Sequence, residues 1–446
     1  MSKRLSHPMA GSVNWKTNLL AIWLAQFLSL SAFSFSLPFL PLYLKNSGIV
    51  TSDATFWSGL FISAASFSTM IMSPIWGILG DRFGRKMMLV RANLGGAFAL
   101  YLMGVVDNYE ALIVLRLLQG VFTGTVPAAQ TLIAAYTPDK KQGFAIGLVM
   151  AAVNAGNLTG AFLGGMAANL YGPTTSFKIS GFMLLAAAIL VIVAVREDFS
   201  PPPVLPSLTR SARIRRRRAR ITGFIALFPI LLAITLTAFV QTFDGPYLSY
   251  FVENLYLTNY PQVGVTPGAV YAMTGRVSAV AGGAAVAGSI MTGLVMDRPL
   301  PGLVWVLMAV GGSLGVVLMG FSGDFYSLAV GRFIFFFMIS GLASALVVVL
   351  GRLAPPGKTG GIFGWSVTVR SVGWILAPLL GGQAANWGFT TAFLIEAIAL
   401  LALAPIFFYL NKVYGHEFHP EEDENPSIQD LGNAKVASPA THGRPV

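Results

Sequence analysis

Long apolar stretches return along the chain with short polar or glycine-rich breaks between them. About 20 apolar residues in a helix cross a bilayer. Twelve stretches reach that length: Thr17–Leu44, Phe56–Leu79, Met87–Val106, Tyr109–Tyr136, Gly143–Leu170, Thr174–Val195, Ile221–Tyr250, Pro267–Met296, Gly302–Phe321, Phe325–Gly351, Gly360–Asn386 and Phe389–Leu410. The pattern predicts an all-α integral membrane protein of twelve transmembrane helices. Its parts are a polar tail over 1–16, six helices over 17–195, a basic linker over 196–220, six helices over 221–412 and a polar tail over 413–446. The first span outruns the roughly 7–15-residue core of a secretory signal and should be retained.

Charge tests this division. Basic residues gather in every second loop: Arg82, Arg85 and Lys86, then Lys140 and Lys141, Arg196, the cluster Arg210–Arg220, Arg298, Arg352 and Lys358. The alternate loops hold Lys45, with Lys178 near a helix end. By the positive-inside rule both termini lie in the cytoplasm of a cell whose inner membrane the chain crosses. Of the 446 residues 55% are hydrophobic and only 11% charged, which excludes an ordinary soluble domain. The net charge of +11 sits mostly in these loops, so it answers to topology and anionic lipid and not to nucleic acid. The linker, with Pro201–Pro203 before its arginines, reads as a tether. The acidic tail beyond Tyr414 reads as unstructured. With no cysteine, and with His7, His416, His419 and His442 all in the tails, neither a buried metal centre nor thiol or histidine catalysis is available. No cofactor is expected, and no enzyme.

The two halves repeat. Pro38 is matched by Pro246, and Lys45-Asn46 by Glu253-Asn254, each 208 residues on. Asp81-Arg82 returns as Asp297-Arg298 and Arg116 as Arg332, at an offset of 216. Gly164-Gly165 returns as Gly381-Gly382 at 217. A common register of this kind predicts two pseudo-symmetric six-helix halves, an arrangement suited to a carrier that binds its cargo between them.

The run between the second and third spans is Gly77-Ile-Leu-Gly80-Asp81-Arg82-Phe-Gly84-Arg85-Lys86. Topology explains its bases. It does not explain the glycine spacing or Asp81, a carboxylate placed to cap a helix N-terminus or pair across a seam. This run resembles the loop signature of the major facilitator superfamily, G-x-L-(A/G)-D-(R/K)-x-G-(R/K)-(R/K), at every defined position. The resemblance implies a major facilitator fold and a latch on the cytoplasmic side formed by Gly77, Gly80, Asp81, Arg82, Gly84, Arg85 and Lys86. Asp81 is expected to face the start of the eleventh span, near Gly360–Gly364.

Two further runs resemble the drug:proton antiporter branch. Arg116-Leu-Leu-Gln119-Gly120 resembles R-x-x-Q-G, whose arginine is linked in that branch to proton coupling. An arginine at the centre of a span costs about 2.5–3.5 kcal/mol on insertion scales and requires a partner or a wet cavity. Gly156, Gly160, Gly164 and Gly165 resemble G-x-x-x-G-P-x-x-G-G, with Ala161 where the branch has proline. The eleventh span keeps its proline in the matching frame, with Pro378, Gly381 and Gly382. These glycines are expected to pack the fifth span against the eighth. Trp15–Leu19, Ala32–Tyr43, Phe56–Gly59 and Leu89–Arg91 are similar to first-half segments of MdtG-type multidrug efflux proteins.

Acids inside spans are Asp244 and Glu396; arginines are Arg116, Arg276, Arg332 and Arg370, with Arg91 just inside the third span. Asp244 is the candidate for protonation, its partner left open between Arg276 and Arg370. Glu396, in a span that lies outside the cavity in this architecture, reads as a packing or snorkelling carboxylate at least as well as a functional one. Gln26, Phe35, Gln130, Asn154, Gln241, Tyr247, Arg276 and Arg370 are the candidates for an adaptable cavity lining. The expected task is proton-coupled efflux of amphipathic or cationic small molecules by alternating access. The expected partners are substrate, protons and membrane lipid, with the chain acting as a monomer. A carrier of anionic solute or lipid on the same fold, favoured by the second-half arginines, and a non-transporting sensor are the alternatives.

Overall fold

The computed structural model describes residues 14–46, 54–138, 141–199, 228–261, 266–296, 303–352 and 359–414. The basic linker, the acidic tail and the pair Asp297-Arg298 lie outside the described residues, as do the side chains of Asp81 and of residues 360–364. The twelve expected crossings are made by sixteen described helices, because four crossings are broken.

The first crossing is α1 (Trp15–Ser36) and α2 (Leu40–Asn46), parted at Pro38, whose ring cannot continue an α-helix. Next come α3 (Ala54–Phe83) and α4 (Arg85–Met103). The fourth crossing is α5 (Tyr109–Phe122) and α6 (Thr125–Tyr136). Long α7 (Gln142–Tyr171) and α8 (Pro173–Ala194) finish the first half. The seventh crossing is α9 (Phe228–Thr242) and α10 (Leu248–Asn259), parted around Pro246. It runs on past Tyr250, where the hydropathy pattern placed its end. Then follow α11 (Pro267–Met296), α12 (Leu303–Gly320), α13 (Phe325–Arg352) and α14 (Thr359–Ala385). The last crossing is α15 (Phe389–Leu401) and α16 (Leu403–Tyr414). Pro74 and Pro378 sit inside α3 and α14 without ending them. Large apolar side chains such as Ile78, Val193 and Phe182 stay exposed on the outer surface, as lipid contact requires.

Within the first half α1 packs on α7 and α8, α3 on α5, and α4 on α8; within the second α11 and α12 pack on α13, and α12 on α15. The halves are joined through α3 with α14 and α7 with α11. Glycine sets both kinds of seam, and here the structure corrects an expectation. A Cβ at Gly156, Gly160 or Gly164 would run into the backbone of Phe27, Ser31 or Phe35 on α1, so these three seat the fifth crossing on the first and not on the eighth. Gly165 alone of the four meets α11, at Gly275 and Tyr271. The second half repeats two of these three contacts and the seam contact, with Ala377 in place of the middle glycine. Gly373 and Gly381 meet Thr235 and Phe243 on the seventh crossing, and Gly382 meets Thr55 across the seam. The α1 partners Phe27 and Phe35 stand 208 residues before Thr235 and Phe243, the offset already seen between Pro38 and Pro246.

Among the described residues, the ion pair and side-chain hydrogen bonds that join the halves lie toward one face of the membrane, away from the Gly84 turn. Lys45 pairs with Glu253 at 2.7 Å. The Tyr250 hydroxyl donates to the Pro41 carbonyl at 2.6 Å. Ser63 donates to the Ile375 carbonyl at 2.7 Å, and Thr55 to Asn386 at 3.0 Å. A Cβ at Gly59 would lie well inside van der Waals contact distance of the Pro378 carbonyl oxygen. On the other face, a Cβ at Gly77 would meet no described atom beyond its own helix within 4 Å. The halves are shut at the Lys45 face.

Candidate functional site

Two ionic centres lie on broken crossings. A broken helix frees backbone carbonyls and amides that bilayer cannot satisfy, so polar side chains must gather there.

The first is the break between α5 and α6. Gly124 takes φ +134, a conformation a side-chain-bearing residue adopts only under strain. The carbonyls freed at the end of α5 are met from two sides. Trp76 Nε1 donates to the Val121 carbonyl at 2.6 Å, and Arg91 donates to those of Phe122 and Thr123 at 3.3 and 3.5 Å. The Arg91 guanidinium lies 3.6 Å from the centre of the Trp76 ring, so one cation closes the negative end of α5 and stacks on an aromatic face. Sequence alone put Arg91 near the membrane face without this role. Two turns earlier Arg116 is buried and donates to Gln119 Oε1, with the Phe61 ring 5.5 Å away. The expected pair Arg116 and Gln119 is thus together, and its acceptor is neutral. The Arg116 Nε has no hydrogen-bond partner.

The second is the break between α9 and α10. Residues 243–247 form successive turns, closed by Gly245 N to the Thr242 carbonyl at 3.3 Å and by Leu248 N to the Asp244 carbonyl at 2.9 Å. The break holds Asp244 and Tyr247, both buried. Asp244 pairs with Arg332 of α13, not with Arg276 or Arg370. Glu396 of α15 is fully buried; it does not snorkel, and its Oε2 accepts from the Tyr247 hydroxyl at 3.2 Å. Phe243, Phe251, Phe389 and Phe393 pack around this group, with the Phe393 ring 5.1 Å from that of Tyr247. Arg332 and Glu396 each stand seven residues into α13 and α15, about 10 Å along the axis at 1.5 Å per residue, so their depths match. The recurrence of Arg116 as Arg332 was the sequence signal for this partner.

The signature turn is organised from the sixth crossing. Gly84, alone between α3 and α4, has φ +96 and no side chain to cap α4. Glu197 does so: its two carboxylate oxygens accept from the amides of Arg85 and Lys86 at 2.9 and 2.7 Å. Arg85 donates to the Thr131 carbonyl on α6 at 2.8 Å, and Lys86 to that of Ile192 on α8 at 2.8 Å. Arg82 is exposed beside Phe83, and Gly80 packs on Met88. Asp81 is expected to cap a helix N-terminus or pair across a seam, and its side chain lies outside the described residues; at α4 the cap is Glu197, which has no motif to mark it in the sequence.

The cavity candidates divide. Tyr247 and Phe35 belong to packed interior, and Gln26 is buried with its amide 3.4 Å from the Thr125 carbonyl. Gln130 reaches the Met150 sulfur at 3.1 Å. Asn154 and Gln241 are half-buried, Arg276 is exposed, and Arg370 is half-buried with its guanidinium 5.9 Å from the Trp374 ring. A groove of about 480 Å³ opens beside Trp15, Leu19, Trp23 and Leu148, and none of the cavity candidates lines it.

Comparison with known proteins agrees with this architecture. The multidrug resistance protein MdtG of Escherichia fergusonii is 30% identical over 396 residues, covering 87% of this chain and 93% of that one. The multi-drug resistance efflux pump PmrA of Streptococcus pneumoniae serotype 4 is 39% identical over 251 residues. That match spans 54% of this chain and 60% of the pump, less than two thirds of its length. Among solved structures, a bacterial homologue of the human lysosomal transporter Spinster superposes with a TM-score of 0.69 at 16% identity, over 91% of this chain and 99% of that one. The profile of the Major Facilitator Superfamily matches residues 22–299 and 247–441. A first and a seventh crossing broken at matching prolines, a seam of glycines between two six-helix halves and a match over nearly the whole length lead to one conclusion: the chain belongs to the Major Facilitator Superfamily.

Proposed function

We propose that this multi-pass membrane protein exports amphipathic or cationic small molecules from a bacterial cell in exchange for protons. The observation that carries the reading is the buried Asp244–Arg332 pair on the break of the seventh crossing, in a chain similar over 87% of its length to a multidrug resistance protein. Ionisable residues inside a bilayer are costly and serve ion or substrate pathways. The signature face is assigned to the cytoplasm by its arginines and lysines, with both termini there. The structure is then the state shut to the outside. Rocking of residues 17–195 against 221–412 opens the outer face and brings the signature turn against the second half, where Asp81, Arg82, Arg85 and Lys86 act as the latch. The open space at Gly77 supports this, since a glycine kept for close approach meets none of the described residues in the present state. Arg116 with Gln119 and Asp244 with Arg332 bias the two states.

The test uses purified protein in liposomes with a pH-sensitive dye inside, an imposed proton gradient, and ethidium as the cationic probe. Ethidium-dependent proton movement that is lost in Asp244→Asn is the expected result. A response confined to organic anions would transfer the function to the arginines, of which Arg370 faces only an aromatic ring among its described contacts. An Asp81→Asn protein with unchanged transport would refute the latch.

A further inference from the structure

The second half buries two carboxyl groups against one guanidinium. Arg332 neutralises Asp244. Glu396, fully buried, lies in the electrostatic reach of both. One of its oxygens accepts from Tyr247, while Oε1 has no hydrogen-bond partner at all, and neither has the Nε of Arg332. Among the described residues, the other helices packed on α15 bring no compensating charge: α10, which meets it through Phe251, carries Glu253, an acid paired with Lys45. α12 contains no ionisable residue, and Arg370, the one described on α14, does not act on Glu396. Lys412 lies at the far end of α16. An uncompensated carboxylate among phenylalanines is far costlier than a neutral carboxyl, and a purely structural site has no need of the second acid.

We propose that Glu396 carries the exchangeable proton of the second half, in a site made by Asp244, Arg332 and Tyr247. With the Glu396 O–H bond intact the cluster is neutral: one carboxylate, one guanidinium, one carboxylic acid. When that bond breaks, the proton leaves to water, the electron pair stays on Glu396 and the cluster becomes −1. Arg332, with its Nε free, is drawn from Asp244 toward Glu396. Asp244 sits on the break between α9 and α10, so loosening its ion pair frees the joint of the seventh crossing. Tyr247 is the positioning residue, holding the Glu396 carboxyl toward Arg332. The use of this proton for transport rests on the proton-coupled reading above; its presence on Glu396 does not.

The experiment is infrared difference spectroscopy of the full chain in lipid, following the C=O stretch of protonated carboxyl groups as pH is raised. The expected wild-type band falls with rising pH and is absent from Glu396→Gln. It is also absent from Asp244→Asn, because Arg332, released from its partner, then pairs with an ionised Glu396. In Tyr247→Phe the band persists and shifts in frequency, since its hydrogen bond is gone; a residue that only fills space would leave the frequency alone. A band unchanged in Glu396→Gln overturns the proposal, and should that variant not fold, a band unchanged in both Asp244→Asn and Tyr247→Phe does so. In liposomes, Glu396→Gln reduces the proton-driven ethidium accumulation ratio to one while exchange of labelled ethidium continues. If wild type moves no protons with ethidium but the band behaves as described, the site stands and the coupling fails. If coupling persists and the band is not from Glu396, the coupling stands and the site fails.

Discussion

Replacing one glycine by alanine on either side of the bundle should drive the two halves in opposite directions. Gly59 on α3 packs directly on the Pro378 carbonyl of α14, at the face where the halves are shut. A methyl group there overlaps backbone that cannot rotate away, so the helices must separate. Overpacking of a tight core costs typically 1–3 kcal/mol. That cost falls only on the state closed at this face, so the ratio of closed to open shifts by about 5–150-fold. The gain in helix propensity from Gly to Ala, about 0.5–1 kcal/mol, is common to both states and cancels. Gly77→Ala should act in reverse. It meets none of the described residues in the present state and, if the latch closes on it, penalises the other. The chain has no native cysteine, so spin labels can be placed at Glu110→Cys and Tyr326→Cys without background. Both positions are exposed at the shut face, one in each half. Distance distributions in lipid should broaden to longer values for Gly59→Ala and narrow to the shorter population for Gly77→Ala. A folded Gly59→Ala protein with the wild-type distribution would refute the account of this seam.

Glu197→Gln should lower the unfolding midpoint in detergent, because one of its two charge-assisted bonds becomes a neutral one and the other is lost, the new NH2 facing a backbone N–H; about 1–3 kcal/mol is at stake, and Arg85→Ala should not reproduce the loss of the cap. Arg91→Lys keeps the charge but loses the planar stack on Trp76 and the reach to two carbonyls, and should cost about 1–2 kcal/mol in the same melt. Asp324 caps α13 from the surface, and hydrogen bonds from Ser327 and Tyr326 hold its carboxyl below the usual carboxylate range. The cap is therefore present above the ordinary aspartate range and is lost as pH falls through the lowered value. Hydrogen exchange at Tyr326 and Ser327 should speed up in acid in wild type, and be pH-independent, beyond the intrinsic chemistry, in Asp324→Asn.

Periodic features were legible in the sequence and pairings were not. Twelve apolar stretches fixed the crossings, because length and hydropathy are properties of a segment alone. The prolines at 38 and 246 marked two breaks, though the hydropathy pattern ran straight through them. The repeat of Gly164-Gly165 as Gly381-Gly382 was visible, but which helix each glycine meets depends on how α7 and α14 are rotated. Three of the four motif glycines turned out to face α1, because adjacent glycines in a helix point to different neighbours. Asp244 was recognisable as an intramembrane acid, while its partner depends on the tilt of α13. Glu396 stayed open between packing and function because its crossing is peripheral; the α9–α10 break bends Tyr247 toward it, and nothing local to residues 389–401 records that.

The two halves use repeat-related arginines differently, and stability should expose this. Arg116 and Arg332 stand 216 residues apart in equivalent crossings and both are buried. Arg332 has a carboxylate, while Arg116 has only the neutral Gln119 and a ring face among its described contacts. The residue that stands 208 before Asp244 is Ser36, a hydroxyl. Removing Arg332 therefore leaves a buried carboxylate without its cation, a loss of about 3–5 kcal/mol at a pH where Asp244 stays ionised. Removing Arg116 relieves an unbalanced charge whose insertion costs about 2.5–3.5 kcal/mol, against one hydrogen bond and one cation–π contact of about 1 kcal/mol each. Arg332→Gln should melt well below wild type, and Arg116→Gln at or above it. Lowering the pH should recover part of the Arg332→Gln deficit, because Asp244 can then be buried protonated. Equal melting losses in the two variants would mean that Arg116 has a compensating partner in the membrane-embedded protein and that the asymmetry of charge between the halves does not hold.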